Sequence, residues 1–226
     1  MTLEAFPSAE AAGAAVADAF VAQLAPPGPK RIVVTGGRTP GPAYDRMAQT
    51  DLDWSRVIIT LSDERFVDPT SPDSNERLVR QRLLQGHAAK ARFVPLKGKG
   101  ADPEADAAAA EPAIRALLPF DAVLLGMGDD GHIASLFPDA PGLAAALDPD
   151  DKTLVIGVAN ANLEPHVSRI SLTAAALFDT KLALILISGP AKRALVERAA
   201  TDPAYSPPVA ALLRQTKAPV RVIWSP

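Results

Sequence analysis

Residues 122–137 read AVLLGMGDDGHIASLF, an apolar run that passes at once into a glycine-rich polar turn. Continuous apolar residues are typical of a parallel strand that is covered on both faces. Further runs of this kind lie at 31–35, 57–61, 154–158, 182–187 and 220–224. We expect these segments to be strands of one mostly parallel sheet.

Helical patterns lie between the apolar runs. Apolar residues recur at every fourth position over 8–24, and further helices are predicted at 40–49, 75–85 (capped by Ser74), 103–118 (interrupted at Pro112) and 191–200. Strands that alternate with helices predict a three-layer α/β fold, with helices on both faces of the sheet. Because no repeat or linker divides the 226 residues, we expect a single domain over 1–226.

Composition excludes several classes of function. With 23 Lys and Arg against 26 Asp and Glu, the net charge is -3, so a nucleic-acid partner is not expected. The absence of Cys excludes disulfides, thiolate metal sites and thiol nucleophiles. The longest strongly apolar run, 182–187, is far shorter than the roughly 20 residues that span a bilayer, and the N-terminus lacks the features of a secretory signal. We expect a cytoplasmic protein, monomeric or a small homo-oligomer, that binds no membrane.

Polar clusters directly follow four of the predicted strands. They are GGRTP at 36–40, DER at 63–65, GMGDDGH at 126–132 and GPAK at 189–192. The carboxyl ends of parallel strands share one edge of a sheet, and ligands bind there because the loops lead into helix N-termini. The sequence therefore predicts that these four clusters form one binding site.

Two of the clusters favour an anion. Gly36 and Gly37 permit close approach of the backbone, while Thr39 is expected to cap the next helix, with Pro40 at its first position. Lys192 falls in the first turn of a helix, where the helix dipole disfavours a cation unless a bound phosphate offsets it. The alternatives are a plain strand-to-helix turn and a solvated lysine.

The DER cluster offers an arginine for oxyanions. Arg65 has a planar fork that suits phosphate oxygens, and the adjacent acids either orient it or face a polyhydroxylated ligand. The alternative is a solvated loop with an internal ion pair. Ser74 and Asn75 are interpreted as a helix cap.

His132 is the best placed of the three histidines for a general base. His87 lies at a predicted helix end and His166 in a proline-containing loop, whereas His132 follows a buried strand. Asp130 can orient its ring, which would leave a base usable near neutral pH. The alternative is a structural histidine held in a turn.

In this order, GGRTP, LSDERFVDPTSPDSN, LLGMGDDGHIASLFP and ISGPAKR resemble the 6-phosphogluconolactonase family, which is related to the glucosamine-6-phosphate isomerases/deaminases. The resemblance implies their shared α/β fold and hydrolysis of 6-phospho-D-glucono-1,5-lactone in the pentose phosphate pathway, without cofactor or metal. It implies that His132 is the general base and Asp130 its partner. It also implies that Arg65, Lys192 and the turn of Gly36, Gly37 and Thr39 surround the phosphate. Further substrate contacts are expected from Asp63, Gly131 and, in SRISLT, Arg169.

Two other functions stay open at this point. An amino-sugar phosphate deaminase/isomerase needs further acid and base residues, and the related deaminases carry a Glu where IASLFP has no acid. A non-catalytic sugar-phosphate sensor would keep the phosphate site but would not need His132. The lactonase is therefore the favoured prediction.

Overall fold

The computed structural model describes residues 1–159 and 167–226. Its strands are β1 (Thr2–Ala5), β2 (Lys30–Val34), β3 (Val57–Leu61), β4 (Asp63–Arg65), β5 (Arg92–Val94), β6 (Ala122–Leu125), β7 (Val155–Val158), β8 (Arg169–Leu172), β9 (Ala183–Ser188) and β10 (Val220–Ser225). Its α-helices are α1 (Ala9–Leu24), α2 (Gly41–Ala48), α3 (Asn75–Arg82), α4 (Pro103–Arg115), α5 (Leu143–Ala146), α6 (Ala174–Leu177), α7 (Pro190–Thr201) and α8 (Pro208–Arg214).

A parallel seven-stranded sheet forms the centre of the molecule, in the order β1-β10-β9-β6-β2-β3-β5. Every residue of β6 is buried, as are the first five residues of β9. Helices on the two faces complete the predicted three-layer α/β fold. On α1, Val16, Phe20 and Leu24 are fully buried, so the four-residue apolar spacing does mark the face that packs on the sheet.

A second sheet carries one of the predicted strands. The run at 154–158 was expected in the parallel sheet, but β7 joins an antiparallel sheet of order β4-β8-β7. Only the first residue of β7 is buried, and the other three are half-buried. An apolar run shows that a segment packs against the core, but it does not specify the strand with which the segment pairs.

The interruption predicted at Pro112 does not occur, because α4 continues through it. Pro112 is exposed and lies three residues before the helix ends. Water can therefore satisfy the carbonyl that loses its hydrogen bond to the missing proline N–H.

Within the described residues, no helix combines the length and apolar character needed to cross a bilayer.

Candidate active site

A cleft of about 220 Å³ lies at the carboxyl edge of the central sheet. The four polar clusters converge on it, as the sequence predicts. The predicted site residues that line it are Gly36, Gly37, Thr39, Asp63, Arg65, His132, Arg169 and Lys192. Asp130 lies behind the imidazole and lines a separate cavity.

Gly131 lies outside the lining of the cleft. Its carbonyl accepts the amide of Val209 at 2.9 Å, and an added Cβ would lie 2.7 Å from Pro207 Cβ. Its φ of +81° is left-handed, so glycine is needed there both for conformation and for close packing. Its place in the structure is at the contact with α8.

The turn after β6 holds His132 by its own hydrogen bonds. Gly128 donates its amide to the carbonyl of His132 at 3.0 Å, and Gly131 donates to the carbonyl of Gly128 at 3.1 Å. An added Cβ at Gly128 would lie 2.1 Å from the imidazole, so only glycine fits. Both amides are used within the turn, so neither is available to bind an oxyanion.

Asp130 fixes one nitrogen of the imidazole. His132 Nδ1 lies 2.6 Å from Asp130 Oδ1, and the backbone amide of His132 donates to the same oxygen at 3.0 Å. A carboxylate at Nδ1 favours the tautomer with the proton on that nitrogen, which leaves Nε2 as the basic nitrogen. The ring also packs edge-on against Phe137, with 4.7 Å between centroids.

Asp63 connects the cleft to the His132 loop. Its Oδ1 accepts the hydroxyl of Ser62 at 2.8 Å, and its Oδ2 accepts the hydroxyl of Ser135 at 2.7 Å. The amide of Ser135 donates in turn to Ser171 Oγ on β8 at 3.1 Å. This buried network ties the segment after His132 to both β4 and β8.

Glu64 supports the site without lining it. This carboxylate is 1% exposed and accepts the amides of Asn75 and Glu76, both at 2.7 Å, together with the hydroxyl of Ser74 at 3.0 Å. Burial raises the pKa of Glu64, and these hydrogen bonds oppose the shift. Glu64 therefore joins β4 to the N-terminus of α3, where an anion is favoured.

Asn75, which the sequence predicts only as part of a helix cap, is a residue of the cleft. Ser74 does cap α3, because its Oγ accepts the amide of Arg77 at 3.1 Å. Asn75 lines the cleft, and its Nδ2 donates to the carbonyl of Asp63 at 2.8 Å. Its buried Oδ1 has no hydrogen-bond partner among the described residues. A polar residue directly after a cap is not a distinctive signal in a sequence.

Arg65 and Arg169 are directly paired across β4 and β8. Arg65 Nη1 donates to the carbonyl of Asp73 at 2.8 Å, while its buried Nε has no acceptor in the described part of the chain. Burial lowers the pKa of Arg169, and the charge of Arg65 lowers it further, whereas the nearby carboxylates raise it. Two adjacent guanidinium groups beside a cleft favour an anionic ligand.

The GGRTP turn leads from β2 into α2. Thr39 is exposed and does not cap the helix, because α2 begins at Gly41 with Pro40 as its N-cap and no side-chain cap. An added Cβ at Gly36 would lie 1.9 Å from Asn75 Oδ1, and Gly37 has a φ of +86°. Both glycines are therefore required by the shape of the turn.

Lys192 bridges the first turn of α7 to the end of β6. Its Nζ donates to the carbonyl of Met127 at 2.6 Å and lies 3.4 Å from Asp129 Oδ1. The side chain is 28% exposed and lines the cleft. The ammonium is thus held in place by neighbours and remains accessible to a ligand.

His87 does not belong to this lining. His87 lies in a short 3-10 helix, Gly86–Lys90, and its Nδ1 is 3.8 Å from an oxygen of Asp51. His166 lies outside the described residues. Within 1–159 and 167–226, no group of three His, Asp or Glu side chains is arranged to hold a metal ion.

The ends of the central strands, together with β4 and β8, surround a cleft that is lined by an imidazole and three cationic side chains. A carboxylate orients the imidazole. This arrangement is typical of an α/β enzyme with a cleft for a small molecule. Residues 5–224 match the family of glucosamine-6-phosphate isomerases/6-phosphogluconolactonases, and the chain belongs to that family.

Individual relatives agree over nearly the whole chain. The 6-phosphogluconolactonase of Caulobacter vibrioides is 45% identical over 99% of this chain and 97% of that protein. The protein of the same name from Pseudomonas aeruginosa is 41% identical over 94% and 88%. The crystal structure of a 6-phosphogluconolactonase from Shewanella baltica superposes with a TM-score of 0.92 at 35% identity, covering 100% of this chain and 98% of that one.

Proposed function

We propose that this enzyme hydrolyses 6-phospho-D-glucono-1,5-lactone to 6-phospho-D-gluconate, the lactonase step of the oxidative pentose phosphate pathway. The observation that carries the proposal is that His132 lines the same cleft as Lys192. Asp130 orients the ring of His132. Lactone hydrolysis needs a positioned base, a water molecule and stabilisation of a developing oxyanion. Side chains of this chain supply the base and the cationic groups.

In the proposed reaction, His132 Nε2 takes a proton from water while the water oxygen attacks C1 of the lactone. The carbonyl π electrons move to the carbonyl oxygen and form a tetrahedral oxyanion. When the bond between C1 and the ring oxygen breaks, its electrons remain on the ring oxygen, which takes the proton back from the imidazolium. The carboxylic acid product then ionises, so one water is consumed and no redox partner or cofactor is required.

Asp130 contributes by holding the imidazole. Its contact with Nδ1 keeps Nε2 as the proton acceptor and stabilises the imidazolium that forms as water attacks. The hydrogen bond from the backbone amide of His132 to the same carboxylate oxygen fixes the two residues relative to each other. Asp130 is therefore a positioning residue.

The phosphate is proposed to bind between Lys192 and the GGRTP turn. Lys192 lies in the first turn of α7 and keeps its ammonium in the cleft, where the two glycines of the turn bring backbone close to a ligand. Binding the phosphate away from C1 fixes the carbonyl against the base and lowers the entropic part of the barrier.

The direct experiment adds freshly prepared 6-phosphogluconolactone to the purified protein and follows acid release against the spontaneous rate. We expect the protein to accelerate hydrolysis of the phosphorylated lactone. It should accelerate hydrolysis of unphosphorylated glucono-1,5-lactone much less, because that substrate lacks the phosphate that Lys192 is proposed to bind. Hydrolysis at the spontaneous rate would refute the proposal, and ammonia release from glucosamine 6-phosphate would favour the deaminase instead.

A further inference from the structure

The cations of the cleft lie at two separated places along the sheet edge. Lys192 follows β9 and reaches Met127 at the end of β6, whereas Arg65 lies in β4, directly after β3. The sheet order places β6 and β2 between β9 and β3. With neighbouring strands about 4.8 Å apart, β9 and β3 end about 14 Å apart, and the side chain of Lys192 covers part of that distance to reach Met127. The cleft therefore has a lysine end and an arginine end.

His132 is connected to the arginine end. The ring of Phe137 lies 4.7 Å from the His132 ring centroid, and its own centroid is 5.8 Å from Arg169 Cζ. Ser135, three residues after His132, is bonded to Asp63 on β4 and to Ser171 on β8. These are the two strands that carry the arginine pair, so the base and the guanidinium groups share one support.

The arginine pair has the features of an anion site. Arg65 and Arg169 are register partners, and the charge of Arg65 lowers the pKa of Arg169. The buried Nε of Arg65 has no acceptor among the described residues. An oxyanion placed here would meet donors with fixed geometry.

We infer that the Arg65–Arg169 pair binds the C1 end of the ligand, first the tetrahedral oxyanion and then the product carboxylate, while Lys192 serves the phosphate. The inference rests on the proposed function and deepens it. It departs from the expectation drawn from the sequence resemblance, which put Arg65 beside the phosphate. It also supplies oxyanion donors in place of the Gly128 and Gly131 amides, which are used within their turn.

Two ligands that differ only at C1 test the assignment by calorimetry. 6-Phosphogluconate carries a carboxylate at C1, and D-glucitol 6-phosphate carries a neutral hydroxymethyl group there. For Arg65→Gln we expect 6-phosphogluconate affinity to fall by at least about 10-fold, as when one partner of a buried charge pair is truncated. The affinity for glucitol 6-phosphate should be nearly unchanged. For Lys192→Gln the affinities for both ligands should fall by similar factors.

Controls separate binding from folding. Arg77→Gln removes another arginine that donates to a backbone carbonyl, that of Thr70 at 2.8 Å, but it lies outside the cleft lining and should change neither affinity. Arg169→Gln should behave like Arg65→Gln, with Arg169→Lys as the variant that keeps the charge of this 5% exposed residue. If Arg169→Gln does not fold, Arg65→Gln alone decides.

If Arg65→Gln lowers the affinities for both ligands equally, that arginine lies at the phosphate and the inference is overturned. Unchanged binding of both ligands would overturn it as well. This calorimetric test measures binding and not turnover. If the lactone assay fails but Arg65→Gln still weakens only the binding of 6-phosphogluconate, the proposed reaction is refuted and the assignment of the two ends of the cleft stands.

Discussion

The imidazole of His132 and the carboxylate of Asp130 are joined twice, through Nδ1 at 2.6 Å and through the backbone amide of His132 at 3.0 Å, both to Oδ1. The two residues are separated by Gly131 alone, whose left-handed φ of +81° turns the chain back. This closure presents the opposite side of the ring to the cleft. The short turn thus sets both the position and the tautomer of the proposed base.

Replacing Asp130 by Asn should lower kcat by at least about 100-fold, because the amide no longer favours the proton on Nδ1 or stabilises the imidazolium. KM should change little, since Asp130 lies behind the ring. Steady-state kinetics on fresh lactone measure both. Asp139→Asn, an exposed residue of the same loop region, is the matched control and should retain activity. A KM effect without a kcat effect would assign Asp130 to binding.

The two glycines of the GGRTP turn should respond differently to Ala. In Gly36→Ala the new Cβ would meet Asn75 Oδ1 at 1.9 Å, so the turn or Asn75 must move and 6-phosphogluconate affinity should fall. In Gly37→Ala there is space, but the φ of +86° should reduce the free energy of unfolding by about 1 kcal/mol. Calorimetry and urea unfolding on both variants distinguish the two effects. Equal behaviour of the variants would contradict this account.

Tyr44 supports the end of β2 from within the core. Its fully buried hydroxyl donates to the carbonyl of Thr35 at 2.6 Å and accepts the amide of Thr35 at 3.0 Å. Burial raises the pKa of Tyr44 above its usual range, so the hydroxyl stays protonated. Tyr44→Phe should therefore lower the free energy of unfolding by about 1–3 kcal/mol, by leaving backbone groups unpaired. Urea unfolding tests this, with the half-buried Tyr205→Phe as the control.

Glu4, on the edge strand β1, should make a pH-dependent contribution to the free energy of unfolding. Arg221 Nε and Nη2 donate to its two oxygens at 2.7 and 2.8 Å, and these hydrogen bonds hold the pKa of Glu4 below its usual 4.5. The folded state therefore binds the proton less tightly than the unfolded state. The stabilisation is present above pH 4.5 and is lost as the pH falls through the lowered pKa.

Glu4→Gln should accordingly reduce the free energy of unfolding at pH 7 by about 0.5 kcal/mol, the scale of a partly exposed ion pair. The difference from the unmodified protein should shrink as the pH is lowered below 4.5. Urea unfolding curves at several pH values measure it. A difference that stays constant over this range would show that the pair does not titrate as described.

The sequence predicted those parts of the structure that depend on local patterns. Continuous apolar runs gave five strands of the central sheet, and the clusters that follow four of these strands do meet in one cleft. These predictions succeed because the ends of parallel strands are brought together by the sheet itself, whatever the loops contain.

Pairings between distant short segments were not predictable. Strands β4 and β8, of three and four residues, carry no periodic signal, although their register places Arg65 opposite Arg169. The serine hydroxyls on Asp63 and the carbonyl that Lys192 contacts are likewise tertiary contacts. A charge in a loop indicates that a partner is needed, but the fold determines which partner it finds.

The central claim is that His132 acts as the base of a lactone hydrolysis, and kinetics and calorimetry on His132→Ala test it most directly. We predict that turnover of fresh 6-phosphogluconolactone falls by about 100-fold or more, towards the spontaneous rate, while affinity for 6-phosphogluconate is retained and His87→Ala is unaffected. Turnover close to that of the unmodified protein in His132→Ala would contradict the claim.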